Sequence, residues 1–271
     1  MRLDLLILAA TLSAGDAPAV PHVPSAPRIE ATDTLPTSAR MVRSAARAVL
    51  NGVGLESATT TARTRAALTA LRSRVRRQSD PDALRFAFRA YYNYKAAHPD
   101  DVRKPYLYYV DYGLDARTPR GYVFDMDELR VVDGPFTVAH GRGSAPDRAG
   151  VPRRFSNRHG SNATSLGLFL AGETYSFSGS NNGSRYRSIG LRLSGLSGAF
   201  NSTARERGVV VHGAPYVTRL GAGRSEGCPA LEQSRARWLL PQLANGSLVF
   251  LFSPLDRNWM KRDPWAAASS T

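Results

Sequence analysis

One cysteine, Cys228, and a histidine sixteen positions before it, His212, are the residues of this chain best suited to covalent chemistry. A thiolate is a strong nucleophile, but an unperturbed cysteine is mostly protonated near neutral pH. An imidazole within hydrogen-bond reach takes that proton and serves as the base. The residues Gly221 to Gly227, reading GAGRSEG, form a turn between the two. Gly227 lacks a Cβ, so a substrate carbonyl can approach the backbone N–H groups of Gly227 and Cys228, an expected oxyanion hole. Gly213 allows close approach beside the histidine. Ser225 has two readings, a hydrogen bond inside the turn or a contact that orients His212, and the second makes it a third catalytic residue.

Rigid elements must deliver these groups. Val209-Val210-Val211 reads as a strand ending at His212, and Pro229 to about Leu243 as the helix after the turn. Further short β-branched or aromatic runs are Tyr106 to Asp111, Gly121 to Asp125, Leu129 to Val132 and Phe136 to Ala139. Leu166 to Ala171, Thr174 to Phe177, Ile189 to Leu193 and Leu248 to Phe252 complete the set. Closely spaced strands with few helices predict a mostly β sandwich or barrel rather than a doubly wound sheet.

The N-terminal third reads differently. Residues 1–14, with the apolar run Leu5 to Leu12 and small residues after it, read as a signal peptide. Residues 15–36 are a Pro/Ala-rich linker. Residues 37–103 form a helical region, with helices expected around Ser38 to Leu50, over Ser57 to Arg77, and from Ser79-Asp80-Pro81 to about Ala97. The aromatic stripe of the last helix reads as core packing. The β domain is expected over 104–258 and a C-terminal tail over 259–271.

The chain has 271 residues and a formal charge of +14, almost all of the excess being arginine. Such a charge favours anionic surroundings. No nucleic-acid module accompanies it, so nucleic acid is not the expected partner. No later run is long and apolar enough for a transmembrane span. The histidines are scattered, without H-x-x-x-H or C-x-x-C spacing, so neither a metal nor another cofactor is expected. An exported chain with one cysteine has no partner for an intrachain disulfide. Gly227 and Pro229 flank it in a tight turn, a poor place for an inert packing thiol.

His212-Gly213, the intervening loop and Ser225-Glu226-Gly227-Cys228 resemble the catalytic motif of the L,D-transpeptidase family (YkuD-type). Gly223 to Pro229 is similar to the GRS-x-GCP motif of a divergent murein subgroup. Val138 to Ser144, Phe155 to Asn157, Ser165 to Gly167, Ile189 to Gly195 and Asn201 with Ala204-Arg205 also fit that subgroup. The resemblance spans roughly residues 105 to 252. Glu226 stands where the family usually has histidine, and Ala230 where it has Arg or Asn. What the resemblance implies is an L,D-transpeptidase-like β-sandwich of mixed strands. It also implies a cell-envelope cysteine acyltransferase, sensitive to carbapenems, acting on peptidoglycan stem peptides in the periplasm. Cys228 would attack before the terminal D-alanine, with His212 as base, and a neighbouring stem's amine would accept the acyl group in a 3-3 cross-link. His140, Gly213, Arg224 and Tyr216 are the candidate substrate contacts, Arg224 in place of the missing Arg or Asn. For Tyr216 core packing is the competing reading, and for His140, which precedes the turn Gly141-Arg142-Gly143, a structural role is. Water as acceptor makes the same site an L,D-carboxypeptidase. A non-catalytic wall-binding protein is the reading from another class, and a cysteine endopeptidase a third enzyme reading.

Overall fold

The run Leu248 to Phe252, LVFLF, is apolar at every position, which suits a strand covered on both faces. In the computed structural model, which describes residues 58–147 and 150–267, all five of its residues are buried. It is β12 (Leu248–Phe252) and lies near the middle of an eight-stranded sheet of order β11-β7-β6-β5-β12-β1-β2-β3. The other members are β1 (Tyr106–Asp111), β2 (Gly121–Asp125), β3 (Arg130–Phe136), β5 (Gly167–Asn181), β6 (Ser184–Gly195), β7 (Val210–Ala214) and β11 (Ala230–Glu232). The sheet is mixed: β1 pairs parallel with β12, β11 pairs parallel with β7, and the remaining ladders are antiparallel. Two small two-stranded ladders join β4 (His140–Gly141) to β10 (Arg224–Ser225), and β8 (Val217–Thr218) to β9 (Gly221–Ala222).

The helical region shares the core of this sheet. Residues 58–71 form α1, and α2 is Ala83–Ala97. Phe86 of α2 stacks on Phe252 with centroids 6.0 Å apart, and Phe88 meets Phe124 edge-on at 5.4 Å. Fully burying one such ring contributes about 1.5–3 kcal/mol, so the stripe is core. Ser79 does not cap α2. Its N–H and hydroxyl both donate to the carboxylate of the buried Asp111, which anchors the helix entry to β1 instead.

The far end of the chain is also built in. The stretch expected as a tail begins with Trp259, which lies in α4 (Arg257–Arg262), is fully buried and packs on Phe250 and Phe252. The expected signal peptide, linker and first helix lie outside the described residues.

Several strand boundaries differ from the sequence reading: the expected strands Leu129 to Val132 and Phe136 to Ala139 are one strand, β3, that ends at Phe136. β5 and β6 form one long hairpin, where the sequence suggested three short strands. Its outer half is polar on both sides, from Ser178 to Asn181 and Ser184 to Arg187, so no alternation marks it. Asn182 and Gly183, both at positive φ, close its turn. The expected helix from Pro229 begins later, as α3 (Gln233–Leu243). Ala230 to Glu232 pair with β7 before it starts.

The two edges of the sheet meet. After β3 the chain passes to Ala139, whose N–H donates to Ala230 O in β11 at 2.9 Å. Asp133 of β3 forms an ion pair with Arg235 of α3.

Candidate active site

The parallel ladder of β7 and β11 sets Ala230 opposite His212, and His212 N donates to Pro229 O at 3.2 Å. Cys228 is therefore held at the end of the strand that carries the histidine. His212 and Cys228 line one cavity of about 460 Å³ with Tyr216, Arg224, Ser225 and Glu226. Arg142 and the tip of the β5–β6 hairpin, including Gly179 and Tyr186, form the rest of its wall.

His212 is buried between two aromatic rings, Phe177 at 5.5 Å and Tyr216 at 6.4 Å, both nearly perpendicular to it. Its Nδ1 lies 3.2 Å from Gly213 O. A carbonyl can only accept, so Nδ1 carries the proton and Nε2 keeps a lone pair for base work. Burial holds the imidazole below its ordinary range, and the Gly213 carbonyl partly opposes that. The Cys228 thiol is half-buried and points its weak donor at Gly208 O, 3.9 Å away. Burial pushes this thiol up; the Val210 N–H and the charge of Arg207 pull it down, and Glu226 adds to the rise. Both main shifts favour neutral forms. Neither shift favours a preformed ion pair of thiolate and imidazolium.

Ser225 is placed differently from its orienting role. Its hydroxyl donates to Cys228 O at 2.6 Å and accepts from Gly227 N at 3.2 Å. It staples the turn that carries Cys228, and the Gly213 carbonyl meets the imidazole instead. This bond also occupies the Gly227 N–H expected in the oxyanion hole. Among the described residues the Cys228 N–H has no hydrogen-bond partner, which leaves it as the open donor of the pair. Gly227 is needed for its backbone, at φ +127°, and for the close Ala163 carbonyl, 3.1 Å from where a Cβ would stand.

Of the four expected substrate contacts, Tyr216 and Arg224 line the cavity, although the Arg224 guanidinium is also tied to Ala145 O and Pro146 O at 3.1 and 2.9 Å. Gly213 and His140 do not. A Cβ at Gly213 would lie 2.5 Å from Ser188 Oγ and 2.9 Å from Ala236 Cβ, so the glycine admits α3 and β6 rather than a ligand. His140 is fully buried beneath the turn, opposite Arg224 in the β4–β10 ladder. Its Nδ1 accepts from Arg120 Nη2 at 3.0 Å. Burial, with the charges of Arg120 and Arg224, pushes it down to about 3.

That shift has a measurable sign. The unfolded chain takes up a proton at His140 near pH 6.5 and the folded chain only near 3, so stability from this site is complete above 6.5 and drains as pH falls from 6.5 to about 3. Urea midpoints measured across that window should fall with acidification for the parent and fall less steeply for His140→Asn.

Several cavity residues carried no legible signal. Arg142 Nε donates to Glu226 Oε2 at 2.7 Å across 84 positions, a pairing that depends on the fold. Asn162, behind the cavity wall, joins them when its amide is oriented to match both partners, with nitrogen 2.8 Å from Glu226 Oε2 and oxygen 3.0 Å from Arg142 Nη2. The polar hairpin tip read as a loop. The pairing of Arg142 with Glu226 was within reach as an opposite-charge match, but nothing in their spacing selects it.

A mostly β catalytic domain with a cysteine and a histidine on one cavity wall defines the class of protein. The chain belongs to the L,D-transpeptidase catalytic domain family, whose model matches residues 76–252. It is thus of an acyltransferase family, and the match begins inside the helical region rather than at residue 104. No curated protein matches the sequence. Among solved structures, the LD transpeptidase LdtMt1 in complex with imipenem is 17% identical over 55% of this chain and 59% of that one, with TM-score 0.36. An L,D-transpeptidase from Mycobacterium smegmatis is 16% identical over 55% and 58%, with TM-score 0.34. One from Stackebrandtia nassauensis is 14% identical over 63% and 66%, with TM-score 0.34. The chain spans less than two thirds of the length of each.

Proposed function

We propose that this chain is a peptidoglycan L,D-transpeptidase in which Cys228 is the nucleophile and His212 its base. The observation that carries the reading is the joint lining of one cavity by these two side chains in a member of that family. His212 Nε2 takes the thiol proton as Sγ attacks the carbonyl of the third residue of a tetrapeptide stem. The C–N bond to the terminal D-alanine breaks, and the imidazolium returns the proton to the departing amine. A thioester remains on Cys228. An amine of a second stem then attacks it, gives its proton to His212 and releases the thiol, leaving a 3-3 cross-link. The open Cys228 N–H supports the oxyanion in both steps. Water in place of the second amine gives the tripeptide, the L,D-carboxypeptidase outcome.

The substrate belongs to the cell envelope, so this reading requires export, for which Leu5 to Leu12 is the candidate leader. Among the described residues no helix is long and apolar enough to cross a membrane. An excess of arginine suits an anionic wall.

The test is incubation of the full chain with a disaccharide-tetrapeptide, followed by mass spectrometry. A tetrapeptide–tripeptide dimer with free D-alanine is the expected product, and a tripeptide alone reassigns the protein as a carboxypeptidase. Unchanged substrate, with no Cys228 adduct after exposure to a carbapenem, leaves the wall-binding reading. Because burial keeps His212 unprotonated into mild acid, the acidic limb of the acylation rate should fall below pH 6.5.

A further inference from the structure

Arg207 lies three residues ahead of β7 and is half-buried. Its guanidinium is fixed by four hydrogen bonds. Nη1 donates to Ser156 O at 2.8 Å and Ser165 Oγ at 2.7 Å; Nη2 donates to Ala163 O at 3.0 Å and Ser161 Oγ at 3.2 Å. All four acceptors are neutral, and among the described residues no carboxylate pairs with it. Among the described residues its charge is therefore held in place without a counterion.

The nucleophile turn is on the other side of the same carbonyl. Ala163 O, which receives Nη2, is the atom that a Cβ on Gly227 would meet at 3.1 Å. The guanidinium thus stands one carbonyl away from the Gly227–Cys228 peptide. The chain leaving Arg207 continues around the sulfur: Gly208 offers its carbonyl 3.9 Å from Sγ, and the Val210 N–H faces the same atom. Arg207 does not line the cavity, so it acts on substrate only through the sulfur.

We infer that Arg207 is a positioning residue whose unpaired charge holds the Cys228 sulfur ready to ionise in a half-buried turn. The inference rests on Cys228 being the nucleophile. Two terms oppose the anion there. Burial disfavours any charge, and Glu226 adds a like charge, itself moderated by Arg142 at 2.7 Å. Arg207 is the fixed cation whose charge opposes both. Its four hydrogen bonds also tie the 156–165 segment to the start of β7, so charge and tie must be tested apart.

Cys228 is the only cysteine, so alkylation of the full chain by iodoacetamide reads this thiolate alone. In Arg207→Gln the midpoint of the rate against pH should rise by about one unit, and the rate at pH 7 should fall about tenfold. Arg207→Lys keeps the charge and should stay within about threefold of the parent. Ser161→Asp leaves the arginine and its tie in place but sets a carboxylate beside Nη2, and should raise the midpoint as Gln does. Glu226→Gln should lower it. Equal profiles for parent, Arg207→Gln and Ser161→Asp overturn the inference, as do equal losses in Lys and Gln without any effect of Ser161→Asp. If Arg207→Gln does not fold, Ser161→Asp decides alone. Iodoacetamide needs no peptidoglycan, so these outcomes are separate from success or failure with the muropeptide.

Discussion

A Cys228→Ala chain is expected to fold with near-parental stability and to release no D-alanine from a disaccharide-tetrapeptide. The loss should be at least about 10⁴-fold, more than about 5 kcal/mol of barrier, because no covalent route remains. Stability should change by less than about 1 kcal/mol. The side chain is half-buried and small, and its one polar contact is weak at 3.9 Å. Cys228→Ser should be nearly as inactive, since a hydroxyl is far harder to ionise than a thiol in a site that already resists charge. Product mass spectra and a urea melt on the same sample separate chemistry from folding. Parental turnover in Cys228→Ala would move the nucleophile elsewhere, and Ser225 would be the first candidate on the cavity wall.

The second large effect falls on stability. Arg120 is fully buried and directs Nε and Nη2 to Val138 O at 3.1 and 2.7 Å, Nη1 to Leu114 O at 2.6 Å, and Nη2 to His140 Nδ1 at 3.0 Å. Its guanidinium carbon also sits 4.7 Å from the Tyr112 ring centroid. Burial pushes Arg120 down to about 10, so it is still a cation at neutral pH. Replacement by methionine has two opposing effects. It removes a costly buried charge, which is favourable. It also leaves two carbonyls and an imidazole nitrogen without a donor, at about 1–3 kcal/mol each. Three orphaned acceptors outweigh one relieved cation, and a net loss of about 3 kcal/mol is expected for Arg120→Met. That is a large share of the roughly 5–15 kcal/mol that holds a domain of this kind together. Arg120→Lys cannot reach three acceptors from one nitrogen and should recover only part of it. Chemical melts of the three proteins check the order; equal midpoints for parent and Met would show that the acceptors find other donors.

How much of this was legible beforehand varied with the range of the interaction. Val209 to His212 and Leu248 to Phe252 are strands because their own side chains fit a pleated, buried surface, and a local pattern reveals that. Cys228 and His212 were legible through residue type, with the turn between them. Ser225 was not, because its two readings differ only in where a hydroxyl rotates, and a neighbouring carbonyl decides it. The resemblance offered His140 as a substrate contact against a structural role, and Arg120, twenty positions earlier, fixes it inside. Arg142, Asn162, Arg207 and Glu226 were invisible as a group. Arg142, Asn162 and Glu226 meet one another and Arg207 binds the 156–165 segment because loops cross beside Cys228, and no spacing in the chain encodes that crossing.

The bridge between Ala139, just past one edge strand, and Ala230 of the other places the turn that carries Cys228 at a seam. The turn is bordered by β4, by the 161–163 segment and by the start of β7, groups drawn from nearly ninety positions of chain. Each of these contacts is long-range, and long-range contacts form late in folding because loop closure must precede them. An incompletely folded chain therefore lacks the surroundings that set this thiol in the fold. On the proposed function, the reactivity of this thiol is a property of the closed seam and not of the cysteine's place in the chain.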